Sequence, residues 1–369
     1  MLYFNSDYLE GAHPAVMKLL NETNMAQTDG YGEDEYCDRA RRLIREACNA
    51  PDALVQFLVG GTQTNMTVIS AALRPHQGVL CAQTGHINVH ETGAVESSGH
   101  KVLALPSEEG KITAEAVQRY VNTHRADPAF EHMVQPGMVY ISHPTEVGTS
   151  YTKAELADLS RTCRELGLYL FLDGARLAYG LAAEEMNRDK SVEDSNKAAS
   201  GHYEDSGLDL PTIAELCDVF YIGGTKCGAL MGEAVVITAE SLKKDFRYMI
   251  KQNGAMLAKG RLLGVQFVAL FENGLYEEIG RHGICLSNKL RKAIKEIGIP
   301  LYQENKTNQI FVILEDQVVE ALSDRFTLSF TERIDETHVV MRICTSWATS
   351  EENVDKLIEA LREIYKSGK

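Results

Sequence analysis

No two cysteines in this sequence stand close enough to form a C-x-x-C unit. The eight thiols (Cys37, Cys48, Cys81, Cys163, Cys217, Cys227, Cys285 and Cys344) are scattered over 369 residues. Such spacing excludes a zinc ribbon or a dense disulfide framework and reads as reduced thiols of a cytoplasmic protein. Nothing else suggests a metal. Basic residues are also short, with 37 Lys and Arg against 52 Asp and Glu, a net charge of −15. Phosphate backbones are met by clustered Lys and Arg, so nucleic acid is not an expected partner. No apolar run approaches the roughly 20 residues that cross a bilayer, and no membrane association is expected. The opening MLYFNSDYLEGAHP has neither a basic start nor an apolar h-region, so a signal peptide is not expected. What is there, 44% hydrophobic and 24% charged residues, describes a globular chain long enough for about two domains.

From about residue 53 to 240, short apolar runs alternate with amphipathic segments. Strands are expected at 53–59, 78–82, 101–105, 137–142, 168–172, 218–223 and 233–238, with helices among them at 64–74, 113–124 and 152–167. Near-continuous apolar strands separated by helices predict an α/β domain whose mostly parallel sheet is covered on both faces. Beyond it, a helical stretch (about 256–297), strands at 309–314 and 337–344 and a closing helix at 350–367 predict a smaller α+β domain. The polar stretch 187–207 reads as a surface insertion or loop. The expected division is an N-terminal segment (1–15), which the resemblance given below implies lies near the active site, a large domain (16–250) and a C-terminal part (251–369).

Ligands of parallel sheets sit beyond the carboxyl ends of the strands, and three strand ends carry unusual residues. Gly60-Gly61-Thr62-Gln63 lies between a strand and a helix. By itself it reads first as a tight turn with a threonine cap, and it also suits a phosphate cradle of free N–H groups and a hydroxyl. Asp173-Gly174-Ala175-Arg176 closes the apolar run LYLFL. A carboxylate there needs a cation, and Arg176 could supply it, bind a substrate carboxylate as a fork, or form a structural ion pair. Gly223-Gly224-Thr225-Lys226 follows DVFYIG, where a desolvated lysine becomes a usable amine, unless it snorkels to the surface. Cradle, carboxylate and lysine at one sheet edge suit pyridoxal phosphate. The lysine would form a Schiff base, the aspartate would keep the pyridine nitrogen protonated, and the cradle would take the phosphate. His86, in QTGHINVHETG, stands where it could stack on the ring and act as a base, with His90 and Glu91 following.

These residues bring out a likeness. The sequence resembles the low-specificity threonine aldolases of the β-eliminating lyase group, fold-type-I pyridoxal-phosphate enzymes. The likeness is carried by Asn5-Ser6-Asp7, Tyr31-Gly32-Glu33-Asp34, Gly61-Thr62-Gln63-Thr64-Asn65, His86, the DGAR run at 173–176, Lys226 and Met341-Arg342. It implies a large α/β domain and a small C-terminal one. It also implies retro-aldol cleavage of threonine or allo-threonine to glycine and acetaldehyde. Lys226 would carry the cofactor, Asp173 would pair with the pyridine nitrogen and His86 would stack on the ring. Gly61 and Thr62 would hold the phosphate. Ser6, Arg176 and Arg342 would clamp the substrate carboxylate. Tyr31 would lie near the substrate across the interface of a homodimer or homotetramer.

The sequence also departs from the group. The usual Gly-Gly-Gly-Met-Arg-Gln is Asn253-Gly254-Ala255-Met256-Leu257-Ala258, so the arginine is missing, with Lys259 and Arg261 just beyond. The usual Glu-Asn-Thr is His143-Pro144-Thr145. His132 is a weaker match to a substrate-side histidine. The same machinery could run β-elimination, racemisation or transamination, and a non-catalytic homologue is the further alternative.

Overall fold

The computed structural model describes residues 1–195 and 207–367. A two-residue strand, β1 (Leu2–Tyr3), opens the chain. The seven expected strands follow within two residues at either end: β2 (Leu54–Leu58), β3 (Gln77–Ala82), β4 (Lys101–Leu105), β5 (Gln135–Ser142), β6 (Tyr169–Asp173), β7 (Val219–Gly223) and β8 (Glu233–Ile237). They form one sheet in the order β2-β8-β7-β6-β5-β3-β4. Only β8 runs against its neighbours. The carboxyl ends of the other six therefore share one edge.

Alternation along the strands explains why nearly every residue is apolar. Leu170 and Leu172 of β6 and Phe220 and Ile222 of β7 join one core, while Phe171, Val219 and Tyr221 point into another. Side chains of a strand alternate between faces, so a sheet packed on both sides buries both sets. Helix Lys153–Leu166 covers the first face with Leu156, Leu159 and Cys163. It begins at a capping box between Thr152 and Glu155 and ends at Gly167 in the left-handed region. Helix Gly61–Ala72 covers the second with Val68 and Ile69.

The helical stretch expected over 256–297 is two helices, Arg261–Phe271 and Leu275–Ile297. Gly274 breaks it at φ 70°, a conformation that glycine adopts without strain. The longer helix bridges the domains: Tyr276 and Ile279 pack into the large core, Leu290 and Ile294 into the small one. The loop expected at 187–207 is corrected for its first part. Helix Leu177–Ser195 continues into it, and no Gly or Pro interrupts 181–195. Residues 196–206 of that stretch lie outside the described residues.

The small domain adds β9 (Leu301–Gln303), β10 (Gln309–Glu315), β11 (Phe326–Thr327), β12 (Ser329–Arg333) and β13 (His338–Cys344). An antiparallel sheet runs β12-β13-β10-β9, and β1 pairs in parallel with β11. Only β10 and β13 were expected; the others, of two, three and five residues, are too short or too polar to carry an apolar run. Phe4 is buried in this domain's core, which pins the N-terminal segment just before Asp7. Helix Glu351–Ser367 closes the chain. Among the described residues, no helix is long and apolar enough to cross a membrane.

Candidate active site

A cavity of about 290 Å³ opens at the shared edge of the large sheet. Across it, Gly61 follows β2, Glu233 opens β8, Lys226 follows β7, and Asp173 ends β6. Glu146 follows β5 and His86 follows β3; all six line the cavity. The loops after β6 and β7 approach closely. A Cβ on Gly174 would stand 2.1 Å from the Tyr221 carbonyl oxygen, and one on Gly223 would stand 2.3 Å from that of Ala175. Any other residue at either place would push Asp173 and Lys226 apart.

Asp173 is 4% exposed and accepts four hydrogen bonds. Tyr140 and Tyr221 donate their hydroxyls at 2.5 Å each, Asn65 its amide at 3.1 Å and Ala175 its backbone N–H at 3.0 Å. Register explains the tyrosines: Asp173 follows Leu172, which faces Phe220, so Tyr221 lies beside it, and Tyr140 reaches in from β5. Burial pushes the carboxyl up. The His86 ring and the two phenols outweigh that, and the group is held below its ordinary value, ionised.

Lys226 is pulled below lysine's ordinary value by burial and by the charge of Arg176, against Asp7, Asp173 and Glu233. That favours the free amine, the nucleophilic form. Arg176 is forked on a partner that the sequence reading had not paired with it. Its Nε donates to Asp7 Oδ2 at 2.6 Å and its Nη2 to Oδ1 at 3.0 Å. Asn308 also donates to Asp7, at 2.9 Å. Removing one partner of a buried pair strands the other. The Asp7→Ala variant is therefore expected to lose about 3–5 kcal/mol in denaturant unfolding; a change under about 1 kcal/mol would show that Arg176 finds another acceptor. Burial pushes the Asp7 carboxyl up, but Arg176 more than offsets this and, like Asp173, it sits below its ordinary value. Their contribution to stability is complete above about pH 4 and is lost as pH falls below that through the folded values.

The helix at Gly61–Ala72 starts without a side-chain cap. Its first-turn N–H groups face a cavity also lined by Thr62 and Thr225, a ready site for an anion. His86 completes the ring of groups. Glu91, fully buried, receives its Nδ1 at 2.7 Å, and Asn65 ties Glu91 to Asp173 by donating to both. With Nδ1–H on Glu91, the Nε2 lone pair is left to accept a proton. Glu146 takes the His86 backbone N–H at 2.9 Å and the Ser142 hydroxyl at 2.5 Å, and burial raises its carboxyl.

An uncapped helix start, a buried ionised carboxylate and a desolvated lysine around one cavity fit the cofactor that the resemblance implies. The family model described as β-eliminating lyase matches residues 4–317. The chain belongs to the β-eliminating lyase family. A low-specificity L-threonine aldolase of Pseudomonas aeruginosa is 30% identical over 364 residues, 98% of this chain and 97% of that one. The solved structure of Leishmania major threonine aldolase is 42% identical, covers 99% of this chain and 100% of that one, and has a TM-score of 0.90. A Thermus thermophilus aspartate aminotransferase, at 14% identity and a TM-score of 0.68 over 99% of this chain and 91% of that one, shares the fold alone. The fold is thus the fold-type-I α/β arrangement with a C-terminal antiparallel sheet.

Gly61, Thr62, His86, Asp173, Arg176 and Lys226 all line the one cavity. Ser6 and Arg342 are not among its lining residues: Arg342 donates to the Asn5 carbonyl at 3.0 Å, and the buried Ser6 hydroxyl has no hydrogen-bond partner among the described residues. Tyr31 lies outside it, half-exposed, with the Lys251 amine 5.0 Å from its ring. Arg261 is held by the carbonyls of Thr23, Asn24 and Ala26, and Lys259 is exposed. His132 is exposed in a turn before β5, at the opposite end of that strand from the cavity. The sequence reading missed Tyr140, Tyr221, Glu146 and Glu233, and did not foresee Tyr8 at the cavity wall. A tyrosine inside a fully buried strand needs a hydroxyl partner, and an acid opening an apolar strand raises the question that Asp173 raised. Both signals were in the sequence.

Proposed function

We propose that this protein is a pyridoxal-phosphate-dependent lyase. It cleaves the Cα–Cβ bond of threonine or allo-threonine to give glycine and acetaldehyde. The observation that carries the reading is the convergence of Lys226, Asp173, His86 and the uncapped helix start on one cavity. When bound, the cofactor supplies an electron sink for the pair released by the broken bond. Lys226 holds it covalently through its free amine. Asp173 would pair with the pyridine nitrogen, and Gly61, Thr62 and the neighbouring N–H groups would hold the phosphate. Ser6 Oγ and Arg342 orient the substrate carboxylate. Arg176, fixed in direction by Asp7, contributes Nη1, the donor left outside the fork. That carboxylate grip would decide which bond at Cα is presented to the electron sink.

His86, at the cavity wall, would pack against the cofactor and would remove the β-hydroxyl proton at Nε2, directly or through water, while Glu91 holds the tautomer. The His86→Phe variant is therefore expected to keep the cofactor and to lose about 10²–10⁴-fold in cleavage rate. A rate within a few-fold of wild type would take the histidine out of proton transfer. Tyr31, exposed and outside its own chain's cavity, supports a homo-oligomer with active sites at subunit interfaces; light scattering measures its size.

The test of the reaction is a product assay. The purified protein, supplied with pyridoxal phosphate, receives L-threonine and L-allo-threonine separately, and glycine, acetaldehyde, 2-oxobutyrate and ammonia are quantified. Equal glycine and acetaldehyde are expected, with the rate ratio giving the diastereomer preference. Abundant 2-oxobutyrate and ammonia with little glycine would overturn the reaction and leave the cofactor reading standing.

A further inference from the structure

Glu233 is a carboxylic acid in a place where an acid is costly. It opens β8, the strand that runs against the rest, and faces Leu58 of β2 on one side and Gly223 of β7 on the other. Its side chain thus emerges between the loop that carries Gly60, Gly61 and Thr62 and the loop that carries Thr225 and Lys226. It is 3% exposed and lines the cavity with all of them. Gly224 donates its N–H to Glu233 Oε2 at 3.0 Å. Thr225 receives the Gly232 N–H on its oxygen, at 3.1 Å, and its hydroxyl is a further donor toward Glu233.

The chain that carries the cavity offers little free positive charge of its own to an anion bound here. Among the described residues lining the cavity the cations are Lys226, which the reaction needs as an amine, and Arg176, whose fork is on Asp7. Leu257 stands where the resemblance leads one to expect an arginine, and Arg261 beyond it is engaged by three carbonyls. An ionised carboxylate among the N–H groups of the cradle would repel a phosphate dianion and compete for its donors. A neutral carboxylic acid would do the opposite and give the phosphate a hydrogen bond.

We propose that Glu233 is a phosphate-binding residue that enters the site as the neutral acid, Oε2 held by Gly224 and its own O–H donated to a phosphate oxygen of the cofactor. The proposal rests on the pyridoxal-phosphate reading above. The groups that act on Glu233 fit it. Burial raises its carboxyl to about 7, with Asp173 adding to the rise and Thr225, Gly224 and Lys226 opposing it. Tyr221, Tyr276 and Cys227 also feel its charge, and all three are themselves held neutral by burial. The free site therefore sheds this proton around neutrality, and phosphate binding takes it back. Cofactor binding at mildly alkaline pH is thus coupled to proton uptake, and the affinity falls as pH rises.

The experiment is calorimetric titration of the full chain, freed of cofactor, with pyridoxamine 5′-phosphate. This probe lacks the aldehyde and cannot condense with Lys226; pyridoxamine without the phosphate is the control. Two buffers of different ionisation heat count protons. At about pH 8 the wild type is expected to take up close to one more proton with the phosphate than without it, and E233Q to lose that uptake while still binding. Above neutrality the wild-type affinity should fall by roughly tenfold per pH unit relative to E233Q, whose amide donates to phosphate at any pH.

Equal proton uptake in wild type and E233Q would overturn the proposal, because the proton would then go elsewhere. Weaker binding by E233Q at every pH with an unchanged slope would overturn it too, and would make Glu233 an ionised counter-charge to Lys226. Should E233Q fail to fold, the wild-type proton count decides alone: no excess uptake with the phosphate rejects the proposal. Failure of the wild type to bind either pyridoxamine phosphate or pyridoxal phosphate would overturn the cofactor reading, and this inference with it.

Discussion

Replacing Lys226 by alanine is expected to abolish the yellow absorption of the bound cofactor and to lower turnover by about 10⁵–10⁶-fold, the scale on which removal of a covalent nucleophile acts. The argument is local. Lys226 sits in the loop after β7, its amine 5.8 Å from the Tyr8 ring centroid, in a cavity whose other cation of fixed charge is tied to Asp7. Among the lining residues no second amine stands near it to take over. The fold should survive, because the loop is held by the Gly223 to Gly174 and Cys227 to Gly224 backbone bonds and not by the lysine head. Removing a desolvated amine also relieves a burial cost. Unfolding by denaturant should therefore shift little while activity vanishes. A retained yellow band in the variant would remove Lys226 from its role.

The Asp173→Asn variant is expected to lose about 10³-fold in kcat at saturating cofactor, the upper range for removing one preorganised electrostatic partner. The amide keeps the shape of the carboxylate but carries no charge to hold a protonated pyridine nitrogen. It also disturbs the network at a definite place. Tyr140, Tyr221, Asn65 and the Ala175 N–H all donate to the carboxylate, and an amide nitrogen accepts from none of them. Asn65 links this site to Glu91 and so to His86, which makes the charge of Asp173 part of the histidine's environment as well. A shift in the pH profile of the residual activity should accompany the loss. A kcat within tenfold of wild type would reduce Asp173 to a structural anchor.

The large sheet was legible because its signal is local. Seven apolar runs gave seven strands, and the rule that ligands sit beyond the carboxyl ends directed attention to Gly61, Asp173 and Lys226 before any distance was known. The edge strands of the small domain were not legible, since runs of two to five residues are too short to carry a hydrophobic pattern. Nor was helix Leu177–Ser195 past residue 187, where polarity was read as a loop although nothing in it breaks a helix.

Residue type by itself determined which groups could do chemistry here: a lysine and an aspartate at the ends of buried strands, glycines ahead of a helix and a histidine after a third strand. Partnership was decided only by the tertiary structure. Arg176 reads equally well as a substrate fork or an ion pair until Asp7, 169 residues away, takes both arms of one edge. Tyr140 and Tyr221 read as strand residues until register places their hydroxyls on Asp173. Glu233 reads as the start of a strand until the antiparallel course of β8 turns it into the cavity between the cradle and the lysine. A sequence carries the chemical capacity of each side chain. Its charge state and its partner depend on burial and on distances between segments far apart in the chain, and only the fold sets those.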